Sequence, residues 1–274
     1  MDKTVVARQM ARVGEPVAAP ASAPDLRTYL GADRFTGPTI DSSGLATQLR
    51  QLLGPWARHA LKVAGTRLVA PWSARQLRRA HGSGRPLLLN LGSGTYNAPG
   101  WINIDLWGMH SAWGVDPDVL WDLRKPLPLP DGSVSGVFME HVLEHLPAPV
   151  GLAAIDECAR LLAPGGVLRI SVPDFGRYAR SYAAGSGLAA DDADFLVRQR
   201  PDRPTTLLAL AEVVYDHGHV SIWDAQTLTE LLRCAGFTAV AESAYGRTRL
   251  FPVPDNPDRQ GESLYVEGVA PQHS

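Results

Sequence analysis

The chain has 274 residues, of which 45% are hydrophobic and 20% charged, and its formal net charge is −2. These values are close to the average for globular proteins, and no apolar tract of about 18 residues is present that could cross a bilayer. They argue against a transmembrane protein and predict one large core with appendages.

The N-terminal part of the chain is predicted to lie outside this core. Residues 1–25 are rich in Ala, Pro and Val without periodicity, which indicates a disordered tail. They contain no continuous apolar run of the kind found in a secretory signal, so we expect a cytoplasmic protein. Residues 26–84 form a predicted N-terminal helical extension. Its leucines recur at helical spacing over 43–81, where Pro55 and Pro71 divide the pattern into two or three short helices.

Charge is distributed unevenly along the chain. Residues 42–104 contain no Asp or Glu. The basic residues of this stretch are Arg50, Arg58, Lys62, Arg67, Arg75, Arg78, Arg79 and Arg85. Two interpretations are open: a solvated basic helical face, or a surface for phosphate, anionic lipid or nucleic acid. Peripheral membrane contact through residues 42–104 is therefore one of the possibilities that the sequence raises.

Residues 85–274 form the predicted main domain, in which apolar strand-like runs alternate with helical patterns. The runs are 86–91, 101–106, 119–121, 134–139, 167–172, 238–244 and 263–269. Helical patterns over 148–162 and 225–235 lie between some of them. This alternation predicts an α/β fold, a Rossmann-like seven-stranded mostly parallel sheet with helices on both faces. Residues 175–218 match no strand pattern and are predicted to be an inserted helical lid.

A glycine turn follows the first predicted strand. Gly92 and Gly94 allow a ligand to approach the backbone closely, and Asp105, at the end of the next strand, can accept hydrogen bonds from both hydroxyls of a ribose. Dinucleotide-binding proteins carry a third glycine and an acid about 20 residues further on. Here Tyr96 stands where a further glycine would be expected, and Asp105 follows Gly92 too closely. A pyrophosphate site is therefore disfavoured.

Four motifs follow one another over residues 86–174. They are LNLGSGTY with INIDL, WDLRKPLPLPDGSVSGVF, MEHVLEHL, and LLAPGGVLRISVPD. In this combination the chain resembles the class I S-adenosylmethionine-dependent methyltransferases, type 11 branch. The weaker pattern GHVSIWDAQTLTELLRCAGF extends the resemblance to about residue 270. The resemblance implies a methyltransferase with S-adenosylmethionine as cofactor and S-adenosylhomocysteine as its product.

The resemblance also implies which residues bind the cofactor. Gly92, Ser93 and Gly94 correspond to the methionine and ribose part, Asp105 to the ribose, and Asp122 with Leu123 to the adenine. Asn90, Leu106 and Glu140 complete the predicted set. Asn90 departs from the family, which usually has Asp or Glu there, so we expect weaker affinity because the attractive charge is lost. The link from Gly94 to Trp101 is too short for an ordinary crossover, and we expect a truncated first helix or a loop.

Methylation of a hydroxyl is helped by a base that removes the proton. Three residues are predicted for this role: His141, which leaves the fourth strand, His219, where type 11 relatives commonly have a histidine before a helix, and Asp174, which follows the fifth strand. The alternative for Asp174 is a turn or an N-cap.

The segment Glu140-His141-Val142-Leu143-Glu144-His145 is predicted to begin a helix. On a helix, Glu140 with Glu144 and His141 with His145 would form two adjacent stripes. The alternative for Glu144 and His145 is structural, as a helix cap and a loop contact. Some relatives bind a metal through Glu-x-x-Glu-His, but the spacing here is one residue longer, so no metal ligand is predicted.

Three functions remain in competition. The leading hypothesis is O-methylation of a small molecule such as a sugar or secondary metabolite. The acid-free stretch 42–104 motivates an RNA methyltransferase, although no RNA-binding module is recognisable and the net charge is slightly acidic, so a nucleic-acid partner is not favoured. The change at Asn90 motivates a cofactor-binding protein that no longer methylates. The oligomeric state stays open, a homodimer included.

Overall fold

The computed structural model describes residues 55–106, 116–183, 195 and 203–271, in two compact units. The sheet unit contains the described residues up to 172 and from 225 onward, and the helical unit contains those between 173 and 224. The predicted tail 1–25 and residues 26–54 of the predicted helical extension lie outside the described residues. No helix within the described ranges is long and apolar enough to cross a membrane.

Seven strands of the described chain form one sheet in the order β3-β2-β1-β4-β5-β7-β6. The strands are β1 Leu88–Leu91, β2 Ile102–Asp105, β3 Val119–Leu120, β4 Val134–Glu140, β5 Leu162–Pro173, β6 Thr238–Ser243 and β7 Ser263–Val269. The pairs β1–β2, β1–β4, β2–β3 and β4–β5 are parallel, whereas β6 and β7 are antiparallel. The predicted α/β fold with a seven-stranded, mostly parallel sheet is thereby confirmed.

The helices of the sheet unit are α1 Pro55–Gly82, α2 Ala148–Leu161 and α5 Ala225–Cys234. The prediction of two or three short helices is wrong for the described part of the segment, because α1 is continuous and contains Pro71. Pro55 stands at the first position, where a missing N–H costs little, and Pro71 removes only one internal hydrogen bond. Burial of Val63 and Leu77 on one side holds the helix on both sides of Pro71.

The two faces of the sheet are covered differently. On one face, which we call the apolar face, Met139 of β4 packs against Cys158 of α2, with a sulfur–sulfur distance of 3.8 Å. Val137, Leu168 and Ile170 are also fully buried on this face of β4 and β5. This is the arrangement expected for parallel strands beneath a crossover helix.

No helix lies between β1 and β2. On that side of the sheet, which we call the loop-covered face, Phe138 of β4 packs with Trp101 from the β1–β2 link and Leu250 from the β6–β7 loop, residues 244–262. The Trp101 indole N–H donates to the Pro252 carbonyl at 2.9 Å. The predicted loss of the first helix is therefore confirmed, and the β6–β7 loop takes its place over the strands.

The helical unit contains α3 Phe175–Ala183 and α4 Thr206–Tyr215. Its own apolar cluster consists of Tyr178, Phe195, Ala209 and Val213, all buried. The rings of Tyr178 and Phe195 lie 4.8 Å apart, and the Arg177 guanidinium stacks 4.0 Å from the Phe195 ring centroid. This unit contains the residues for which the sequence predicts a lid.

Candidate functional site

The glycine turn begins where β1 ends. Gly92 and Gly94 both have left-handed backbones, with φ of 72° and 58°. A Cβ on Gly92 would lie 2.5 Å from Val142 Cγ2, so packing against the segment after β4 requires this glycine. A Cβ on Gly94 would come no closer than 3.9 Å to another group. Of the two, Gly94 is the glycine that leaves room for a ligand beside the backbone.

Asp105 closes this turn from the end of β2. Its carboxylate is buried and accepts hydrogen bonds from the backbone N–H of Gly94 at 2.9 Å and of Leu106 at 2.6 Å. A carboxylate can accept about four hydrogen bonds, so this side chain has the chemistry to accept from ribose hydroxyls as well. Among the described residues, no partner is found for the buried Ser93 hydroxyl. Buried polar groups are normally satisfied, so a polar group of a bound ligand such as the cofactor is a suitable partner for this hydroxyl.

Asn90 serves as a donor inside the fold. Its amide nitrogen donates to Asn103 Oδ1 at 2.9 Å and to the Tyr96 carbonyl at 3.3 Å. Asn103 in turn donates to Asp118 Oδ2 at 2.9 Å. An ionised Asp or Glu could not make the first two bonds, which gives a structural reason for the amide at this position.

The Asp122 carboxylate, after β3, is engaged by two arginines. Arg124 binds both of its oxygens, at 2.8 and 3.0 Å, and Arg67 lies 3.5 Å from one of them. Burial opposes ionisation of Asp122, but the hydrogen bonds and charge of Arg124 outweigh it and lower its pKa. Leu123 is half-buried beside it. Contact of Asp122 and Leu123 with adenine stays a prediction.

Glu140 ends β4 in a largely buried position. Its Oε1 accepts a hydrogen bond from the Asn256 N–H of the β6–β7 loop at 3.3 Å. Burial raises the pKa of Glu140 to about 7, although the charge of His141 and the bond from Asn256 act in the opposite direction. This carboxyl group therefore changes charge near neutral pH.

His141 turns sharply away from the strand, with φ of 52°. Its Nδ1 lies 3.2 Å from Glu144 Oε1, and its Nε2 lies 2.8 Å from Ser263 Oγ, at the start of β7. Burial opposes ionisation of Glu144, but the neighbouring His141 ring lowers its pKa, so an ionised carboxylate faces Nδ1. Nδ1 then carries the proton, and Nε2 accepts from the Ser263 hydroxyl.

The predicted helix over residues 140–145 is not formed, and the predicted stripes are wrong. Residues Leu143–His145 make a single 3-10 turn, and α2 begins only at Ala148. Pro147 disfavours helical backbone in the residue before it, which delays the helix. As a result Glu144 pairs with His141 rather than sharing a stripe with Glu140.

The other two predicted bases belong to the helical unit. Asp174 Oδ1 accepts from the Arg177 N–H at 2.9 Å, so this carboxylate caps α3, as the alternative interpretation holds. His219 Nδ1 lies 2.6 Å from the Val213 carbonyl. Because a carbonyl only accepts, Nδ1 carries the proton and Nε2 is the basic nitrogen of the neutral ring. Catalytic roles for Asp174 and His219 stay predictions.

Sequence reasoning missed the polar cluster around Arg169 of β5. The fully buried guanidinium binds both oxygens of Asp255 at 2.6 and 2.7 Å and Glu267 at 3.1 Å. It thereby fixes the β6–β7 loop that supplies Asn256 to Glu140. Within the apolar run 167–172 a lone Arg carries no signal of its partners, which lie 86 and 98 positions away in the chain. Ser263, the partner of His141, lies 122 positions away in the chain and likewise gives no signal.

Comparison with known proteins identifies the family. A family model described as "Methyltransferase domain" matches residues 74–242, more than half of the chain. No curated protein matches the sequence. One similar solved structure is a methyltransferase from Thermotoga maritima described as a possible histamine N-methyltransferase (19% identity, 74% of this chain and 91% of that chain, TM-score 0.43). Another is an O-methyltransferase family protein from Burkholderia thailandensis (18% identity, 83% and 64%, TM-score 0.41). The chain belongs to this family of methyltransferase domains and is an S-adenosylmethionine-dependent methyltransferase.

Proposed function

We propose that this enzyme methylates a hydroxyl group of a small molecule, such as a sugar or secondary metabolite, with His141 as the general base. The observation that carries the proposal is the chain Glu144–His141–Ser263, in which Glu144 fixes the ring and leaves Nε2 as the proton-accepting nitrogen. A hydroxyl acceptor must lose a proton during transfer, and a histidine held by a buried carboxylate is suited to take it.

The residues of the glycine turn would hold the cofactor. Asp105 would accept hydrogen bonds from the ribose hydroxyls, and the buried Ser93 hydroxyl would gain its missing partner. Ionised Glu140 would favour a cationic group nearby. S-adenosylmethionine supplies a methyl group that is already activated on its sulfonium, so alignment of the acceptor can provide most of the rate.

Ser263 defines how the proton would reach His141. Its hydroxyl donates to Nε2. When Nε2 takes that proton, Ser263 Oγ can accept the one leaving the acceptor hydroxyl, and the buried Glu144 carboxylate stabilises the protonated ring. Ser263 would thus relay the proton to His141, and Glu144 is a positioning residue for the His141 ring. Choice of the acceptor itself is assigned to residues 175–218.

The alternative of a non-methylating protein loses its motivation at Asn90. The amide there donates to Asn103 within the fold, which offers a structural reason for the departure from the family. Asp174 and His219 are retained as further candidates for the base, since each carries an acceptor atom suited to proton removal.

The test is single-turnover transfer of a labelled methyl group to a panel of hydroxyl-bearing sugars and secondary metabolites. Once an acceptor is found, His141→Ala should lose about 10²–10⁴-fold in rate. His145→Ala is the matched control, because that exposed histidine is a close neighbour in the sequence. Tight cofactor binding without transfer to any hydroxyl acceptor would refute the proposal. If His141→Ala keeps the wild-type rate, the role of general base would be assigned to His219 or Asp174 instead. The variants His219→Ala and Asp174→Ala would then test each of these residues.

A further inference from the structure

The outward side of α1 carries large apolar side chains. Leu61, Leu68 and Trp72 are 52%, 77% and 70% exposed. Their spacings of seven and four residues place them on one line along a helix. Val63 and Leu77, which are buried, lie on the opposite side. Burial in the sheet unit therefore does not account for this apolar line.

The same line continues as a basic surface. Arg75 and Arg79 follow Trp72 at helical spacing, and both are exposed. Neither forms an ion pair with any residue that the structure describes, and α1 itself contains no acidic residue. From Leu61 to Arg79 the line is about 27 Å long, at the helical rise of about 1.5 Å per residue. We call the line Leu61, Leu68, Trp72, Arg75 and Arg79 the α1 face.

We propose that the α1 face docks onto an anionic lipid surface. Leucine side chains enter the boundary between headgroups and acyl chains, and a tryptophan ring is favoured at the same depth. Arginine guanidinium groups bind lipid phosphates through paired hydrogen bonds. The acid-free stretch 42–104 adds no repulsion toward an anionic surface. This inference goes beyond the proposed reaction and does not depend on it.

Charge argues for lipid over a second copy of the chain. In a symmetric contact each α1 face would meet another face that has arginines and no acidic residue to pair with them. Arg67, on the flank of the helix, differs from Arg75 and Arg79, because it lies 3.5 Å from Asp122 and forms an ion pair within the fold. The positive charge of Arg75 and Arg79 finds its complement in a phosphate-rich surface.

The experiment is flotation of the full-length protein with vesicles. We expect binding to vesicles that contain phosphatidylglycerol, little binding to phosphatidylcholine alone, and release as the salt concentration rises. Arg75→Glu with Arg79→Glu, and separately Leu68→Ser with Trp72→Ser, should each lower the bound fraction about tenfold. Leu152→Ser is the matched control, because Leu152 is an exposed leucine of α2 outside the α1 face. Its binding should equal that of the wild type.

Calorimetric binding of S-adenosylmethionine reports folding of each variant in the same experiment. A variant that keeps cofactor affinity but no longer floats supports the proposal. Absence of wild-type binding to phosphatidylglycerol vesicles overturns it, as does unchanged binding in both double variants. Sedimentation that shows a wild-type dimer dissociated by Leu68→Ser with Trp72→Ser would assign the α1 face to a second copy instead.

Discussion

The two faces of the sheet come from the same strands but are stabilised in different ways. On the apolar face, Met139 and its neighbours pack against helix α2, whose own backbone groups are already paired. On the loop-covered face, the alternate residues include Asn90, Glu140 and Arg169, all with polar partners. A covering loop brings carbonyls that belong to no helix or strand ladder, and Arg169 donates to two of them, those of Ala244 and Arg247. Replacing a helix by a loop thus requires polar side chains within the core.

The largest effect should follow from removing Arg169. Arg169→Met leaves the buried carboxylates of Asp255 and Glu267 without their cation and should reduce the free energy of unfolding by about 3–5 kcal/mol. Urea denaturation measures the loss. The matched change on the apolar face is Ile155→Val in α2, which should cost only about 0.5–1.5 kcal/mol.

A triple variant separates unpaired charge from lost packing. Adding Asp255→Asn and Glu267→Gln to Arg169→Met should recover part of the stability, because no buried charge then remains unpaired. A loss in Arg169→Met no larger than that in Ile155→Val would show that the two faces are not stabilised differently.

The second-largest effect is expected on cofactor affinity when Asp105 is replaced. Asp105 lies on β2 at the edge of the loop-covered face. Asp105→Ala should weaken S-adenosylmethionine binding about 100-fold, since each charge-assisted bond contributes about 1.5–3 kcal/mol. Isothermal titration calorimetry gives the affinity, and Asp131→Ala, at an exposed carboxylate, is the control. An unchanged affinity in Asp105→Ala would remove Asp105 from the cofactor site.

The sequence separation of the interacting residues determines how much of each face could be predicted. The apolar face and the strands were predictable because hydrophobic runs are local, and the glycine turn with Asp105 lies within one short segment. Arg169 contacts Asp255 of the β6–β7 loop, and His141 contacts Ser263 of β7. Both partners are remote in sequence, so no local pattern indicates these contacts. The single helix α1 was missed because tertiary packing outweighed the local effect of Pro71.

A moderate effect is expected for Asn90→Asp, which restores the residue usual in the family. The Asn103 Oδ1 that Asn90 faces already accepts from the Ala98 N–H at 2.8 Å, and a carboxylate would add repulsion in place of a donor. We expect a loss of about 2 kcal/mol in the free energy of unfolding, together with equal or tighter cofactor binding. Denaturation and calorimetry on the same variant measure both. A gain in stability would contradict the donor role of Asn90.

The smallest effect is the pH dependence contributed by Glu140. Burial raises its pKa to about 7, so the folded state retains a proton that the unfolded state releases at lower pH. The stability contributed by neutral Glu140 is therefore fully present below the unfolded-state pKa and is lost as pH rises through about 7. Glu140→Gln cannot ionise, so its stability relative to the wild type should increase by about 1–2 kcal/mol between about pH 6 and about pH 8. Urea denaturation at both pH values measures the change, with Glu230→Gln, at an exposed carboxylate, as control. If the stability difference between Glu140→Gln and the wild type is the same at the two pH values, Glu140 is not buried beneath the β6–β7 loop.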